Sequence, residues 1–445
     1  MQIITPYDFL LLPIYLALFY YFIRRKAAGY QDLEIKRIFL IAFGLRMVGS
    51  VAFSLLVQYY YGYGDSFTYY AGSDFIHKQL SQNVSNIKYF FVSATEFQSW
   101  YNAEEGSNFY SGWMGISSSI MVMKIGGLLS FIAFNKFIII SLFFGLFSFA
   151  GQWKLFMVFN DYNKGKNKML LAYAVLYTPS IWFWGSGLMK DSICLGAVGF
   201  IVSILYKNIV KKQISFREWV LLPFLIVLVY SIKSYIIIVL LMSVMAVVFV
   251  RYVWQLKNIL VRIGVITLFL LVSGLVISFS DFSTEINDIV EESYSQVQTF
   301  QKSYLDSQNE DENSKAAFEL GKVDATLSGM LLKSPGVIFS CLFRPFLWES
   351  KKIIILFTSL ESTILLLATI FLLFKTRFTG FFRVIFTNNL VLFSFVLSIL
   401  FALIIGFTTF NFGTMIRYKI ILLPFYYFIL VYIYTNYKSK KSAAI

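Results

Sequence analysis

The stretch VLLPFLIVLVYSIKSYIIIVLLMSVMAVVFV, residues 220–250, is apolar throughout and carries one charge, Lys233. An apolar run of about 20 residues is long enough for an α-helix to cross the hydrocarbon core of a bilayer. Lipid offers the backbone no hydrogen-bond partner, so such a segment must be helical to satisfy its own amide and carbonyl groups. We therefore interpret residues 218–232 and 234–251 as two membrane spans with a tight turn at Lys233.

The rest of the chain has the same character. Of its 445 residues, 58% are hydrophobic and only 14% are charged, a composition too apolar for a soluble core to bury. Further spans are predicted at residues 7–23, 38–61, 134–157, 169–185, 191–207, 259–279, 352–374, 385–407 and 418–436. The sequence thus predicts an all-α polytopic membrane helix bundle, one integral domain over residues 1–445 with about 11 transmembrane helices.

The chain has a net charge of +14, and the distribution of its basic residues indicates how it is oriented in the membrane. Lysine and arginine concentrate in short segments between alternate apolar runs, at residues 24–37, 163–168, 207–217, 251–262, 375–383 and in the C-terminal tail. Cytoplasmic loops of membrane proteins carry such an excess. This pattern places the N-terminus outside and the C-terminus in the cytoplasm, as a multi-pass protein of a bacterial inner (plasma) membrane, and argues against nucleic acid as a partner.

Two long segments then fall on the outer side of the membrane. The first, residues 62–133, is expected to carry interfacial helices, with residues 111–133 interfacial or re-entrant. The second, residues 280–351, opens with an acidic stretch and returns through an apolar segment that suggests a helix lying in the interface.

Ionisable residues at membrane depth are costly and usually face a cavity or a partner. Here they gather at the outer ends of the predicted spans. They are Asp65, Lys190, Asp191, Lys233, Arg344, Glu349, Arg417 and Lys419, with Glu361 about two helical turns inside its span. Cations beside an apolar groove suit a phosphate or pyrophosphate, and a carboxylate among them suits a general base or a divalent cation. Tyr69, close to Asp65 in sequence, would stack on a sugar.

Each of these residues also has a structural interpretation. Asp65 would cap a helix, Lys190 and Lys233 would extend to the lipid head groups, Arg344 and Glu349 would pair with each other, and Glu361 would be neutral inside the bundle. Arg417 stands at a predicted helix start, where the helix dipole disfavours a cation, so it should need a partner. Arg46 is expected to extend toward the cytoplasmic surface, and His77 is expected in a loop.

Four short motifs resemble known membrane glycosyltransferases. GDSFTYY, residues 64–70, resembles the first outer loop of the GT-C glycosyltransferases, and PSIWFWGSGLMKDS, residues 179–192, resembles a turn in polysaccharide polymerases. LFRPFLWES with the later SLE, and FGTMIRYKIILLPF, resemble segments of O-antigen-polymerase-like proteins. The resemblance implies a catalytic Asp65 and phosphate-binding roles for Lys190, Arg344 and Arg417. Asp191, Lys233, Glu349, Glu361 and Tyr69 would support them.

The sequence therefore predicts an enzyme, a membrane glycosyltransferase or polysaccharide polymerase that uses a polyprenyl-phosphate-linked sugar donor at the outer (periplasmic) face. Its partners would be that polyprenyl-linked sugar or glycan and membrane lipid. A divalent cation is possible in chemical terms, but two cysteines and one histidine exclude a Cys/His zinc site. Two alternatives stay open, a transporter or flippase of lipid-linked glycans and a non-enzymatic subunit of an envelope assembly.

Overall fold

The computed structural model describes residues 2–105, 117–213, 215–255, 258, 260–261, 264, 327–350, 353–409 and 412–442. This described part is all helical and contains no strand, which confirms the predicted all-α class. The predicted span at 259–279 and most of the predicted outer segment 280–351 lie outside the described residues.

Seven helices of the described part are long and apolar enough to cross a membrane, or eight if one bent pair counts as a single span. They are Pro6–Ala28, Leu33–Tyr61, Phe137–Tyr162, Lys190–Val210, Phe216–Gln255, Ile355–Thr387 and Asn389–Thr408, with Phe412–Lys419 and Leu423–Tyr437 as the bent pair. By length and composition, these helices are compatible with a multi-pass membrane protein. The predicted total number of spans and the orientation stay predictions.

The contacts divide the chain into two compact units, Met1–Ile237 and Ile238–Ile445. The helices of unit 1 are α1 (Pro6–Ala28), α2 (Leu33–Leu56), α3 (Asp65–Gln82), α4 (Ala94–Glu105), α5 (Ser117–Ile132), α6 (Phe137–Tyr162), α7 (Lys168–Ala172), α8 (Pro179–Trp184) and α9 (Lys190–Leu205). Helix α10 (Phe216–Gln255) begins in unit 1 and ends in unit 2. The single domain predicted for the whole chain stays a prediction.

Unit 1 begins with a carboxylate that organises two helices. Asp8 Oδ2 accepts hydrogen bonds from the amide and the hydroxyl of Thr5, both at 2.8 Å, which caps the start of α1. Asp8 Oδ1 accepts the amide of Ile138 at 3.0 Å, in the first turn of α6. A buried carboxylate near two helix N-termini satisfies amides that the helices themselves leave open. Asp8 therefore joins α1 to α6 as well as starting α1.

The centre of unit 1 is the contact of α6 with α9. A Cβ added to Gly151 would lie 1.8 Å from the carbonyl oxygen of Gly196, so the two backbones touch. Small residues allow helices to approach this closely, and such contacts are common between membrane helices. Helix α2 packs against the same helix α6, which leaves α6 the most buried of the long helices.

The segment predicted as the first outer loop folds into three helices, of which α3 and α5 pack closely against each other. Gly72 lies against Met123, and Gly127 lies against Ile76. The stretch expected to be interfacial or re-entrant therefore contains α5, one side of which is buried on α3, while residues 111–116 lie outside the described part. His77 was predicted in a loop, but it lies in α3, where its Nδ1 is 2.8 Å from Ser130 Oγ.

The predicted span at 169–185 is wrong as a single helix. The chain forms α7, a π-helical turn at Tyr173–Tyr177, the short helix α8 and then a non-helical segment over residues 185–189. Pro179 explains the first break, because the residue before a proline is forced out of helical geometry, and Thr178 has φ −57° and ψ 121°. The two spans predicted on either side of Lys233 lie within one helical run, α10, which leaves helical geometry only at Lys233, where φ is −148° and ψ is 82°; a tight turn between two separate spans stays a prediction.

Unit 2 contains the remaining helices, α11 (Leu327–Phe343), α12 (Ile353–Thr387), α13 (Asn389–Thr408), α14 (Phe412–Lys419) and α15 (Leu423–Ser442). Helix α13 packs between α11 and α15, and Gly406 of α13 lies directly against Val337 of α11. Helices α14 and α15 meet at an angle of 61° across a short break. The apolar run predicted to start at residue 418 is therefore bent near its beginning.

Candidate functional site

A buried ion pair lies at the start of α9. Lys233 Nζ is 2.5 Å from Asp191 Oδ1, and the two side chains are only 8% and 1% exposed. Asp191 is in the first turn of α9, where the helix dipole favours a carboxylate, and Lys233 comes from the break in α10. The expectation that Lys233 extends to the head groups is wrong, because its ammonium is enclosed beside Asp191.

Lys190 lies next to this pair and makes different contacts. Its Nζ donates to Ser118 Oγ of α5 at 2.8 Å and lies 6.0 Å from the centre of the Tyr69 ring of α3. The ammonium is close enough to Asp65, Asp191 and Lys233 to interact electrostatically with all three. Lys190 is therefore held between α3 and α5 rather than extended along its own helix. Its side chain keeps part of its surface exposed.

Asp65 is the first residue of α3 and follows Gly64, which has φ +113°. The predicted capping role of Asp65 is wrong, because the N-cap residue is Gly64, but a carboxylate in the first helical turn is favoured by the helix dipole. Asp65 is also partly exposed and lies near Lys190. Ser66 Oγ donates to the carbonyl of Leu188 at 3.2 Å, which ties the first turn of α3 to the segment before Lys190. The sequences GDSFTYY and GSGLMKDS thus meet in space.

Sequence reasoning missed one residue near this site, Arg46. Its guanidinium was expected to extend to the cytoplasmic surface, but the residue is 1% exposed in the interior of unit 1. Nη1 donates to the carbonyls of Gly185 at 2.7 Å and Ile181 at 3.3 Å, and Nη2 donates to Gln152 Oε1. The only sequence signal was an arginine well inside an apolar run, which by itself marks a buried partner as readily as a surface contact.

Unit 2 brings together a second set of the predicted residues. Arg344 Nε donates to both carboxylate oxygens of Glu349, at 2.9 and 3.1 Å, and Nη2 also donates to that carboxylate. Glu349 accepts the amide of Phe346 at 2.8 Å, and the Arg344 guanidinium stacks 5.3 Å from the centre of the Phe412 ring. The structural interpretation, in which Arg344 and Glu349 pair, is confirmed.

Lys419 lies beneath this pair and is 1% exposed. Its Nζ donates to the carbonyl of Arg344 at 2.9 Å and to Ser362 Oγ at 3.0 Å, and it interacts electrostatically with Glu361. Glu361 thus lies near a buried cation of unit 2 and is itself partly exposed, while the expectation that it is neutral stays a prediction.

Arg417 does not stand at a helix start. It lies in the last turn of α14, where the open carbonyls of a helix C-terminus favour a cation. Its guanidinium is 5.2 Å from the centre of the neighbouring Tyr418 ring. The predicted helix start at Arg417 is therefore wrong. Helix α14 continues to Lys419, and α15 begins only at Leu423, a few residues later than the apolar pattern predicted.

No family model, curated protein or solved structure matches this chain. Within the described ranges, no three His, Cys, Asp or Glu side chains come together as ligands of a metal ion would. A divalent cation therefore has no three-ligand protein site in this part of the chain, and the chemistry must be argued from the side chains themselves.

The cluster of Asp65, Tyr69, Lys190, Asp191 and Lys233 in unit 1 is the candidate site. It offers a partly exposed ammonium and a partly exposed carboxylate within electrostatic range of each other, with the buried Tyr69 ring near the ammonium and a buried ion pair next to it. An ammonium can hold a phosphate oxygen, and a carboxylate can accept a proton from a hydroxyl. The second cluster, in unit 2, has its cations engaged by Glu349, Ser362 and a backbone carbonyl.

Proposed function

We propose that this protein is a membrane glycosyltransferase or polysaccharide polymerase, which transfers a sugar from a polyprenyl-phosphate or polyprenyl-pyrophosphate donor at the outer face of a bacterial inner membrane. The observation that carries the proposal is the placement of Lys190 and Asp65. Two segments far apart in sequence bring a cation and a carboxylate together, both partly exposed, among helices of a membrane protein.

Lys190 is the proposed contact for the donor phosphate. Its ammonium is bonded to a neutral hydroxyl, Ser118 Oγ, and faces the Tyr69 ring, so a phosphate oxygen could replace the hydroxyl without separating a tight ion pair. The opposite holds for Lys233, whose charge is engaged by Asp191 at 2.5 Å in the interior. The buried pair therefore supports the site by fixing the start of α9, and Lys190 binds.

Asp65 is the proposed general base. In the transfer, the oxygen of the acceptor hydroxyl forms a bond to the anomeric carbon, and the bond from that carbon to the phosphate oxygen breaks. The electron pair of the broken bond leaves with the phosphate, where Lys190 stabilises the added charge. The hydroxyl proton passes to the Asp65 carboxylate. Acceptor and donor are the only reactants, and the products are the glycosylated acceptor and the polyprenyl phosphate or pyrophosphate.

Arg344 and Arg417 remain proposed as further phosphate contacts. The guanidinium of Arg344 already hydrogen-bonds to both carboxylate oxygens of Glu349. A phosphate accepts the same bidentate pair of hydrogen bonds as a carboxylate, so a bound phosphate would have to replace Glu349. Glu361 and Glu349 are proposed as supporting residues in unit 2. These roles rest on the resemblance and on residue chemistry alone.

The test uses the full chain purified in lipid, with radiolabelled polyprenyl-linked sugars extracted from the organism that makes the protein. We expect label to leave the lipid with wild type, as followed by thin-layer chromatography. Lys190→Ala should slow this transfer about 100-fold or more, because one preorganised donor to the developing charge is lost. Asp65→Asn should slow it about 100-fold or more through loss of the base.

Lys78→Ala is the matched control. Lys78 lies in α3 like Asp65, and its side chain is 59% exposed and pairs with Asp74 one turn away. The control should transfer label at the wild-type rate. Label that stays on the lipid with folded wild-type protein would refute the enzyme, and equal losses in Lys78→Ala and Lys190→Ala would remove Lys190 from the site.

A second candidate, a transporter or flippase of lipid-linked glycans, is favoured by one structural feature. Helices are broken at residues 185–189 and at Lys233, next to the ionisable cluster, and discontinuous helices commonly form transporter binding sites. Liposomes that contain the protein and the labelled lipid distinguish the two. A transporter would make the sugar accessible to an impermeant reagent on the opposite side while every sugar stays on its lipid.

A further inference from the structure

Within the described residues, the hydrogen bonds of the buried Arg46 guanidinium go to uncharged groups. Its Nη1 donates to the carbonyls of Gly185 and Ile181 and to Ser148 Oγ at 3.1 Å, while Nη2 donates to Gln152. A buried charge is expensive and is normally kept only where several good hydrogen bonds offset the loss of water. The position of these bonds therefore shows what the charge stabilises.

The acceptors of Arg46 lie at the end of α8. A helix leaves its last carbonyls without intrahelical partners, and a short helix followed by a non-helical segment in an apolar interior has no water to satisfy them. Arg46 supplies a donor to the Gly185 carbonyl and a second donor to the Ile181 carbonyl, which also accepts the Gly185 amide, and a cation is the charge that a helix C-terminus favours.

The segment after α8 is shaped to receive this side chain. A Cβ added to Gly185 would lie 2.4 Å from Arg46 Nη1, and a Cβ added to Gly187 would lie 2.0 Å from the Phe53 ring. Between them, Ser186 Oγ donates to the carbonyl of Arg46 at 3.3 Å. The sequence GSG is thus explained by contact with α2, since each glycine makes room for one α2 side chain.

The segment leads directly into the candidate site. Leu188 accepts from Ser66 Oγ of α3, and two residues later Lys190 donates to Ser118 Oγ of α5. We infer that Arg46 is a positioning residue, which fixes residues 185–189 through the end of α8 and thereby places Lys190 against α3 and α5. This inference rests on the proposed function for the role of Lys190, but the fixing of the segment is independent of it.

Amide hydrogen exchange of the full chain in detergent tests the inference without any substrate. Gly185 and Ser186 donate their amides to Ile181 and Phe183, so opening of the segment exposes them to exchange. Arg46→Lys keeps the positive charge but loses the planar guanidinium that donates to several acceptors at once. It should raise exchange in peptides that cover residues 181–192 about 10- to 100-fold, the effect of losing one or two hydrogen bonds to a charged group. Peptides from α13 should exchange as in wild type.

Gly185→Ala is the second variant, because its methyl group would lie 2.4 Å from Arg46 Nη1 while Arg46 itself stays; it would also lie 2.6 Å from the Ile181 carbonyl and 2.7 Å from Leu195 Cδ2, so it disturbs the end of α8 directly as well. It should give the same local rise in exchange. Arg25→Lys, at an exposed arginine, and Gly44→Ala, at a helical glycine with nothing within 4 Å of the added Cβ, are the matched controls and should not change exchange.

The transfer assay supplies a separate readout. Arg46→Lys should lower kcat about 10-fold or more with a smaller change in KM, since Lys190 is misplaced for the transition state. If neither Arg46→Lys nor Gly185→Ala raises exchange at residues 181–192, or if exchange rises equally throughout the chain, the inference is overturned. If Arg46→Lys does not fold, Ser148→Ala decides in its place, because it removes an acceptor of Arg46 on α6 and adds no atom near residues 181–192, where exchange should still rise. If wild type transfers no label, the proposed function fails while the exchange result still decides what Arg46 does.

Discussion

The pair formed by Lys233 and Asp191 should behave as a buried ion pair when its partners are removed singly and together. At 2.5 Å and an effective dielectric constant of about 20, the attraction between the two charges is about 7 kcal/mol. Desolvation of the two enclosed groups opposes a large part of it. Lys233→Met or Asp191→Asn alone should each lower the free energy of unfolding by about 3–5 kcal/mol, because each leaves one charge buried without its counterion.

The double variant should recover most of that loss, since both charges are then gone. The measurement is a double-mutant cycle from denaturant unfolding in mild detergent micelles, followed by tryptophan fluorescence. The control cycle uses Lys78 and Asp74, which pair at 2.7 Å in α3 but with the lysine side chain 59% exposed. That exposed pair should show a coupling of about 0.3–0.5 kcal/mol. Equal couplings in the two cycles would refute the claim that the first pair is enclosed.

Three further predictions follow from other contacts in unit 1. Gly151→Ala should prevent the contact of α6 with α9 and destabilise the protein by about 3 kcal/mol or more, measured by thermal unfolding against Gly44→Ala, which should be neutral. Asp8→Ala should cost about 1–2 kcal/mol in the same assay, because amides at the starts of α1 and α6 lose their acceptor, and no loss would contradict its bridging role. Burial lowers the pKa of His77, with partial opposition from Asp74, so stability should be complete above the unfolded pKa of about 6.5 and fall as the pH drops below it. His77→Gln should flatten that part of a melting-temperature profile.

The spans were predictable because hydropathy is a local property. A run such as 220–250 must be helical in lipid whatever its neighbours are, and the structure makes it helical except at the one charged residue. The tight turn at Lys233 was read from that single charge, and the interruption of α10 falls there. The number of spans was harder to predict, since a run broken by Pro179 or by the GSG segment has the same average hydropathy as an unbroken one.

The partners of the charged residues were not predictable from local sequence. A lysine such as Lys233 can enter the interior only where a carboxylate is present to pair with it. Here that carboxylate is Asp191, which lies in a different helix and is not indicated by the sequence around Lys233. The acceptors of Arg46 are Ser148, Gln152 and the carbonyls at the end of α8. Nothing in the sequence around these residues predicts that they bind an arginine. In the sequence GSGLMKDS, the glycines that indicate a helix break stand directly before the charged residues Lys190 and Asp191.

Buried or partly buried cations in this chain accompany the ends and breaks of its helices. In unit 1, Arg46 donates to the carbonyls that end α8, and Lys233 lies at the interruption of α10. In unit 2, Lys419 donates to the carbonyl of Arg344, the residue after the end of α11, and lies itself at the end of α14. Arg46 and Lys419 share one physical reason, because both donate to backbone carbonyls, whereas Lys233 pairs with the Asp191 carboxylate.

A helix that stops inside an apolar environment exposes carbonyls that nothing else can satisfy, and a cation with several donors is the side chain best suited to them. Such a break also frees the next residues from helical geometry, so that they can turn toward a neighbouring helix. In unit 1 the residues freed by the end of α8 lead to Lys190, beside Asp65. A charge that sequence analysis would treat as a surface contact is therefore, in a chain this apolar, evidence for a helix break, and the break is where a membrane protein can place reactive groups.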